Sequence, residues 1–222
     1  MLCLLCYQPT ANRYGFCYQC IKNLPYTISA CEKCGLPLFN KTVPCHFCRQ
    51  ISPKWQHLIA VTDYIQPLKK LVHQLKFQKR TVLANALASL MMRAYLDARR
   101  TYLFSKPDII TCIPMRQYRY WSRGYNQSAL LAKPIAKWLD RPFSPHLLQQ
   151  ISTKRPQLGL AKQDRQLNVH NIYRCTQDLS GKSIAIIDDV ITTGATMNEA
   201  CKMLKQQGAT NIQVICLCRT IL

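Results

Sequence analysis

The sequence predicts an α/β protein with a parallel sheet, preceded by a small cysteine-rich domain. Four CxxC pairs are confined to the beginning of the chain. After them, apolar strand-like runs alternate with amphipathic helix-like segments. The strand-like runs are continuously apolar, which is typical of strands buried on both faces of a sheet. The change in composition divides the 222-residue chain into a cysteine-rich domain at 1–52 and an α/β domain at 53–222.

The cysteine pairs recur at a constant spacing, with ten residues between each pair and the next. A CxxC turn presents two thiolates to one ion, and zinc prefers four thiolates in a tetrahedron. The pattern therefore predicts two structural zinc ions in a double zinc ribbon. No βαβ pattern surrounds the pairs, which disfavours a redox CxxC motif. The eight predicted ligands are Cys3, Cys6, Cys17, Cys20, Cys31, Cys34, Cys45 and Cys48.

The spacing leaves two pairings of these ligands open. Sequential pairing gives two ribbons in tandem, whereas interleaved pairing gives a cross-brace. Loop-closure entropy favours the sequential form, because each half then closes locally. A purely structural role and a nucleic-acid-binding ribbon are both compatible with the motif. The run "CEKCGLP" also predicts a knuckle in which Gly35 follows the second ligand.

The α/β part is predicted element by element from its apolar pattern. Apolar residues at i, i+3, i+4 and i+7 indicate an amphipathic helix at 66–78, and Pro134 predicts a kink in a later helix. Gly208 is predicted as the first residue beyond a helix. We expect strands at 57–64, 108–114, 183–189 and 211–220, and helices at 66–78, 81–100, 126–139 and 196–208. Four cysteines inside these elements are expected in the core: Cys112, Cys201, Cys216 and Cys218.

Charge and compartment narrow the possible partners. The chain has 30 basic and 10 acidic residues, a formal net charge of +20. This balance favours polyanionic partners such as nucleic acid or phosphorylated metabolites, with a solvated basic surface as the alternative. No apolar run reaches the roughly 18 residues of a transmembrane helix, and the start lacks the basic region of a signal peptide. We therefore expect a cytoplasmic protein without membrane insertion, whose cysteines bind metal rather than form disulfides.

The acidic residues Asp188 and Asp189 end an apolar run and precede a threonine-rich loop, Thr192–Thr196. Ligands of open parallel sheets bind at the carboxyl ends of strands. The loop opens a helix, whose first N–H groups can hold a phosphate. The carboxylates can accept hydrogen bonds from vicinal ribose hydroxyls or hold a divalent cation. The pattern indicates a ribose 5-phosphate site, and the alternative is a turn with an ordinary N-cap at Thr193 or Thr196.

The run "IAIIDDVITTGAT" resembles the phosphoribosyl-pyrophosphate (PRPP) motif of type I phosphoribosyltransferases. The whole chain resembles the ComF family of competence and DNA-utilisation proteins, which join CxxC zinc ribbons to such a domain. The matching segments include "LKF", "IP", "RGYNQS" and "RPQLGLAKQDRQLNV", and Tyr125 stands where the family more often has phenylalanine. The resemblance implies a type I phosphoribosyltransferase-like fold that binds PRPP with Mg²⁺. It implies ribose contacts by the catalytic acids Asp188 and Asp189, and phosphate binding by Thr192, Thr193, Gly194, Ala195 and Thr196.

A basic and aromatic loop is predicted after the strand at 108–114. The resemblance implies that it holds pyrophosphate, and the guanidinium groups of Arg116, Arg119 and Arg123 suit phosphate oxygens. Its aromatic residues equally suit single-stranded nucleic acid, or they are partly core while the arginines face solvent. The segment 152–173 resembles a mobile flap, in which Lys154, Arg155 and Arg165 would meet the pyrophosphate.

Three functional hypotheses follow from these features. The first is a phosphoribosyltransferase that binds PRPP or a related phosphoribosyl ligand and serves DNA uptake or utilisation. The second is a non-catalytic module that holds single-stranded DNA for the DNA-uptake machinery. The third is a zinc-thiolate redox sensor. The motif does not identify an acceptor.

Overall fold

The computed structural model describes residues 1–12, 14–26, 30–38, 45–151 and 172–220. The helices of these residues, in chain order, are α1 (Tyr18–Lys22), α2 (His46–Ile51), α3 (Leu68–Phe77), α4 (Leu83–Tyr102), α5 (Gln117–Arg123), α6 (Gln127–Leu139) and α7 (Ala195–Gln206). The strands are β1 (His57–Asp63), β2 (Ile109–Cys112), β3 (Gln149–Gln150), β4 (Tyr173–Arg174), β5 (Ser183–Ile191) and β6 (Asn211–Arg219).

The main sheet has the strand order β1-β6-β5-β2, and every pairing in it is parallel. This confirms the predicted parallel sheet. The register places Ile187 beside Cys112 on one side and Asp188 beside Cys216 on the other. Because all four strands run in the same direction, their carboxyl ends meet at one edge of the sheet. That edge is the place where the sequence predicts a ligand site.

Helices cover both faces of the sheet, as the continuous apolar strands predict. One core lies under α3, α4 and α6, and the other lies under α7. The apolar stripe of α3 lies entirely in the core, and its residues Leu68, Leu71, Val72 and Leu75 are all buried. Burying each of these side chains contributes about 1.5–3 kcal/mol, which is why so short a helix is stable in this protein. The four cysteines expected in the core are also buried.

One local prediction differs from the structure, and one pair of short strands was not predicted. The residues expected to form a basic loop after β2 instead form helix α5, whose C-cap is Gly124 with a φ of 85°. No residue of α5 is buried, so the sequence carries no apolar periodicity by which the helix could be recognised. The antiparallel pair β3–β4 has two residues in each strand, too few to produce an alternating pattern. Gly208 lies one position beyond the C-cap of α7, as expected, with a φ of 93°.

The cysteine-rich part is built as two similar halves. In the first half, the N–H of Tyr7 donates to the carbonyl of Cys3 at 2.9 Å, and in the second Gly35 donates to Cys31 at 2.8 Å. Tyr7 and Gly35 both have positive φ values, 60° and 71°. The second cysteine pair of each half instead begins a short helix, α1 or α2. The structural repeat is therefore two cysteine pairs long.

Among the helices of the described residues, none is both long and apolar enough to cross a membrane.

Candidate functional site

The two acidic residues at the end of β5 are held by different partners. Asp188 Oδ1 accepts hydrogen bonds from Ser128 Oγ at 2.8 Å and from the N–H of Asp189 at 2.9 Å. Asp189 is 3% exposed, and its Oδ1 accepts from the N–H of Val190 at 2.9 Å. Its Oδ2 lies 2.7 Å from Nζ of Lys76 on α3. Both carboxyl groups are therefore fixed before any ligand arrives.

The pKa of Asp188 is raised to about 7. Burial is the largest cause, and the neighbouring carboxylate of Asp189 adds to it. The hydroxyl of Ser128, the N–H of Asp189 and the ammonium of Lys76 oppose the shift. Carboxyl groups with pKa values this far from the ordinary range are concentrated at functional sites.

The loop after β5 places a helix N-terminus beside the acids. Gly194 is the N-cap of α7, with a left-handed φ of 83° and no side-chain cap. The alternative of an ordinary N-cap at Thr193 or Thr196 is therefore wrong, although Thr193 Oγ1 does accept from the N–H of Ala195 at 3.3 Å. The first internal bond of α7 runs from Asn198 N–H to Gly194 O at 2.8 Å. The N–H groups of the first turn have no carbonyl within the helix, and this suits them to an anion.

A cavity of about 400 Å³ unites these features at the carboxyl edge of the sheet. Among the described residues, it is lined by every non-cysteine site residue that the sequence predicts: Arg116, Arg119, Arg123, Asp188, Asp189, Thr192, Thr193, Gly194, Ala195 and Thr196. Lys76 and Ser128 also line it and were not predicted. Both lie in segments of the family resemblance, "LKF" and "RGYNQS", and that was the only signal for them.

Helix α5 forms the basic wall of this cavity. Arg116, the N-cap residue, and the helical residues Arg119 and Arg123 are three and seven positions apart, so they share one face. Nε of Arg119 donates to the hydroxyl of Tyr118 at 3.1 Å, which lowers the pKa of that phenol. Trp121 is 79% exposed. Tyr118 and Tyr120 are also exposed, so the alternative that these aromatics are core residues is wrong.

Tyr125 connects this wall to α3. Its hydroxyl donates to the carbonyl of Leu75, next to Lys76. A phenylalanine at this position would lack the bond. The hydroxyl therefore fixes the end of α3 from which Lys76 reaches Asp189. The predicted flap lies outside the described residues except for Ile172 and Tyr173, so Lys154, Arg155 and Arg165 have no described position.

The eight cysteines of the CxxC pairs form two clusters in sequential order. Cys3, Cys6, Cys17 and Cys20 form one, and Cys31, Cys34, Cys45 and Cys48 form the other, with all sulfur atoms of a cluster within 4.8 Å of one another. Three sulfur pairs are separated by 3.8, 3.6 and 3.6 Å. A tetrahedral zinc ion with Zn–S bonds of about 2.3 Å requires sulfur atoms about 3.8 Å apart. Both clusters fit structural zinc, and the geometry supports the sequential pairing.

Arg219 links the second cysteine cluster to the ligand cavity. It ends β6 and is 1% exposed. Its Nε donates to the carbonyl of Cys34 at 3.0 Å, and its Nη1 donates to the carbonyl of Ile191, which precedes the threonine loop, at 3.0 Å. Burial lowers the pKa of this guanidinium. This contact joins segments that are distant in the chain, so no local pattern in the sequence indicates it.

Two family models match the chain. The phosphoribosyl transferase domain matches residues 125–221, and the double zinc ribbon domain matches residues 1–51. Among solved structures, the fold is similar to a purine phosphoribosyltransferase from Pyrococcus horikoshii, with 21% identity and a TM-score of 0.38 over 60% of this chain and 73% of that one.

Curated relatives match nearly the full length. DNA utilization protein YhgH of Salmonella typhimurium is 40% identical over 221 residues, 99% of this chain and 97% of the relative. Competence protein F of Haemophilus influenzae is 35% identical over 211 residues, 92% of this chain and 90% of the relative. Competence protein ComFC of Bacillus subtilis is 29% identical over 202 residues, 86% of this chain and 78% of the relative.

Proposed function

Since this chain belongs to the DNA-utilisation family of YhgH and competence protein F, we propose that its cavity binds PRPP or a related phosphoribosyl ligand. The observation that carries the proposal is that the acid pair and the Gly194 loop line the same cavity. A ribose 5-phosphate has a diol and an anion, and this cavity has a matching group for each. The proposal places this binding in the cytoplasm, in the service of DNA uptake or utilisation during natural competence.

Each part of the ligand has a partner in the proposal. Asp188 and Asp189 accept hydrogen bonds from the ribose 2′ and 3′ hydroxyls. The loop Thr192–Thr196 and the first turn of α7 hold the 5-phosphate. Arg116, Arg119 and Arg123 face the diphosphate, to which guanidinium groups bind in a bidentate manner. The cavity is thereby divided into an acidic, a neutral and a basic part that correspond to the ligand.

A divalent cation fits this donor set. Mg²⁺ is commonly bound by one or two carboxylates together with substrate phosphates, and Asp188 and Asp189 supply carboxylate oxygens at the cavity wall. Charge neutralisation of the diphosphate is the chemistry that bound Mg²⁺ supplies. The two cysteine clusters hold one structural zinc ion each in the same proposal.

As an enzyme, the protein would transfer the phosphoribosyl group. The bond between ribose C1 and the diphosphate oxygen breaks, its electron pair leaves with pyrophosphate, and an acceptor nucleophile bonds to C1. The described residues contribute positioning of the ribose and positive charge at the leaving group.

Calorimetric titration with PRPP and Mg²⁺ tests the proposal. We expect the wild-type protein to bind and the Asp188→Asn, Asp189→Asn double variant to lose at least about 100-fold in affinity, because each lost charge-assisted hydrogen bond costs about 1.5–3 kcal/mol. The control is Asp97→Asn with Asp140→Asn, which changes the net charge equally away from the cavity. Equal binding by both double variants contradicts the proposal.

The exposed aromatic residues of α5 favour a second candidate, a single-stranded nucleic-acid-binding module on the same fold. Trp121 and its tyrosine neighbours offer stacking surfaces, and the arginines offer phosphate contacts. This candidate predicts that DNA-utilisation function survives the Asp188, Asp189 double substitution but is lost with Arg119→Gln and Trp121→Ala. DNA affinity that is unchanged by added salt excludes it, because phosphate contacts release counterions.

A further inference from the structure

A second cavity, here called the side groove, adjoins the candidate site at the end of α3. It has a volume of about 370 Å³. Four residues line both cavities: Lys76, Arg119, Arg123 and Gln127. Phe77, Lys79 and Ser122 line the side groove and not the first cavity. The two cavities therefore share one wall, which α3 and α5 build together.

The side groove is strongly positive. Four of its seven lining residues are basic and none is acidic. Among the described residues, Lys76 has a carboxylate within 4 Å, whereas Lys79, Arg119 and Arg123 have none. A concave surface with uncompensated charge of one sign concentrates ligands of the opposite charge. The groove is therefore suited to an anion.

An accessible aromatic ring stands among these cations. Phe77, the last residue of α3, is 64% exposed. The guanidinium carbon of Arg123 lies 5.3 Å from the centre of its ring, and Arg123 also donates to Oε1 of Gln127. Arg123 is thus oriented by two partners within the groove. An aromatic face beside arginine and lysine is the combination that binds a base together with its phosphate.

We propose that the side groove binds a nucleotide, either free or within a single strand, with its phosphate at Lys79 and its base against Phe77. This inference rests on the proposed function, because it makes the nucleotide a second ligand beside the phosphoribosyl ligand. The phosphoribosyl ligand and the nucleotide would then occupy two cavities that Lys76 lines in common. The chemical class assigned to the second ligand is a nucleoside phosphate.

Two variants separate the contacts of this site. Lys79 has a left-handed φ of 53°, a conformation that asparagine tolerates, so Lys79→Asn removes the charge without backbone strain. Phe77→Leu removes the aromatic face of a side chain that is largely exposed. Lys182→Asn is the matched control, because Lys182 is an exposed lysine next to the amino end of β5.

The probes are thymidine 5′-monophosphate and a short oligothymidylate, titrated against the full-length protein. We expect Lys79→Asn to weaken oligothymidylate binding about tenfold and to reduce the salt slope of log K by about 0.7. Phe77→Leu should weaken it about tenfold with an unchanged slope, since a stacked base contributes about 1–3 kcal/mol. Lys182→Asn should have neither effect. Lys79→Asn and Lys182→Asn should both bind PRPP as the wild type does. If the variants weaken the binding of thymidine 5′-monophosphate as much as that of oligothymidylate, the ligand is a free nucleotide. If they weaken only the binding of oligothymidylate, the ligand is a strand.

Wild-type protein that binds neither probe, or a Lys79→Asn variant that binds both as Lys182→Asn does, overturns the side-groove proposal. Loss of PRPP binding in Lys79→Asn also overturns it, because the groove is then part of the first site. Nucleotide binding that depends on Lys79 in a protein that does not bind PRPP contradicts the proposed function and supports the groove. Failure of the side-groove proposal and failure of the proposed function therefore give different results.

Discussion

The ammonium of Lys76 lies 2.7 Å from Oδ2 of Asp189, and this ion pair joins helix α3 to the end of β5. The side chain of Asp189 is 4% exposed and that of Lys76 is 20% exposed. Among the described residues, no hydrogen bond with good geometry reaches Asp189 Oδ2. Lys76 is thus the main group that balances the charge of the Asp189 carboxylate, which is almost fully shielded from water.

Lys76→Met should destabilise the protein by about 3 kcal/mol at about pH 8, because removing one partner leaves a buried charge uncompensated. Urea unfolding of wild type and variant measures this loss. Lys70→Met, at an exposed position of the same helix, is the control. Equal stability of the two variants at about pH 8 would show that the ion pair contributes nothing.

Asp188→Asn should stabilise the protein above neutral pH. The pKa of Asp188 is raised to about 7 from 3.8, so the folded protein binds more protons than the unfolded chain between these values. The contribution of this carboxyl to stability therefore falls as the pH rises through that range. Asparagine removes the charged form, and we expect Tm to rise by about 3 °C at about pH 8, equivalent to roughly 1 kcal/mol.

Thermal unfolding of Asp188→Asn across the pH range checks this expectation. The difference from wild type should be largest above pH 7 and should shrink towards about pH 4, where wild-type Asp188 is protonated in the folded protein. A variant that is less stable than wild type at high pH would contradict the assigned direction. Loss of ligand binding combined with a gain in stability is the trade-off expected of a functional site.

Arg219→Met should weaken both the fold and the retention of metal at the second cysteine cluster. It leaves the carbonyl of Cys34 without its guanidinium donor, and a buried unsatisfied acceptor costs about 1–3 kcal/mol. The carbonyl of Ile191 also loses the guanidinium but keeps the N–H of Thr220 at 2.9 Å. Urea unfolding and the rate of zinc release to a chelator measure the two effects. Arg174→Met, at an exposed position, is the control. Release of zinc at the wild-type rate would show that Arg219 does not support the cluster.

Metal analysis of cysteine variants tests the sequential pairing. The Cys6→Ser, Cys20→Ser double variant alters two ligands of one cluster, so it should retain one zinc ion per chain. The Cys6→Ser, Cys48→Ser variant alters one ligand in each cluster and should lose metal from both, because each site needs its four thiolates. Equal zinc content in the two variants would contradict the pairing.

Much of the site was predictable because its residues lie in one continuous run. Asp188, Asp189 and the loop Thr192–Thr196 follow a strongly apolar strand, and both the strand end and the helix start are local signals. The CxxC repeat was equally clear, since its spacing repeats four times. Helix α5 was missed for the opposite reason: all its residues are exposed or partly exposed, so no apolar stripe marks it.

The sequence alone determined the parallel α/β class, the eight candidate metal ligands and the acid pair beside a helix N-terminus, because each depends on neighbours along the chain. Tertiary structure alone decided that Lys76 compensates Asp189, that Arg219 joins the second cysteine cluster to the residue before the threonine loop, and that α3 and α5 enclose a second basic groove. These contacts join segments far apart in the chain. Their formation depends on strand order and helix packing, which local periodicity does not specify.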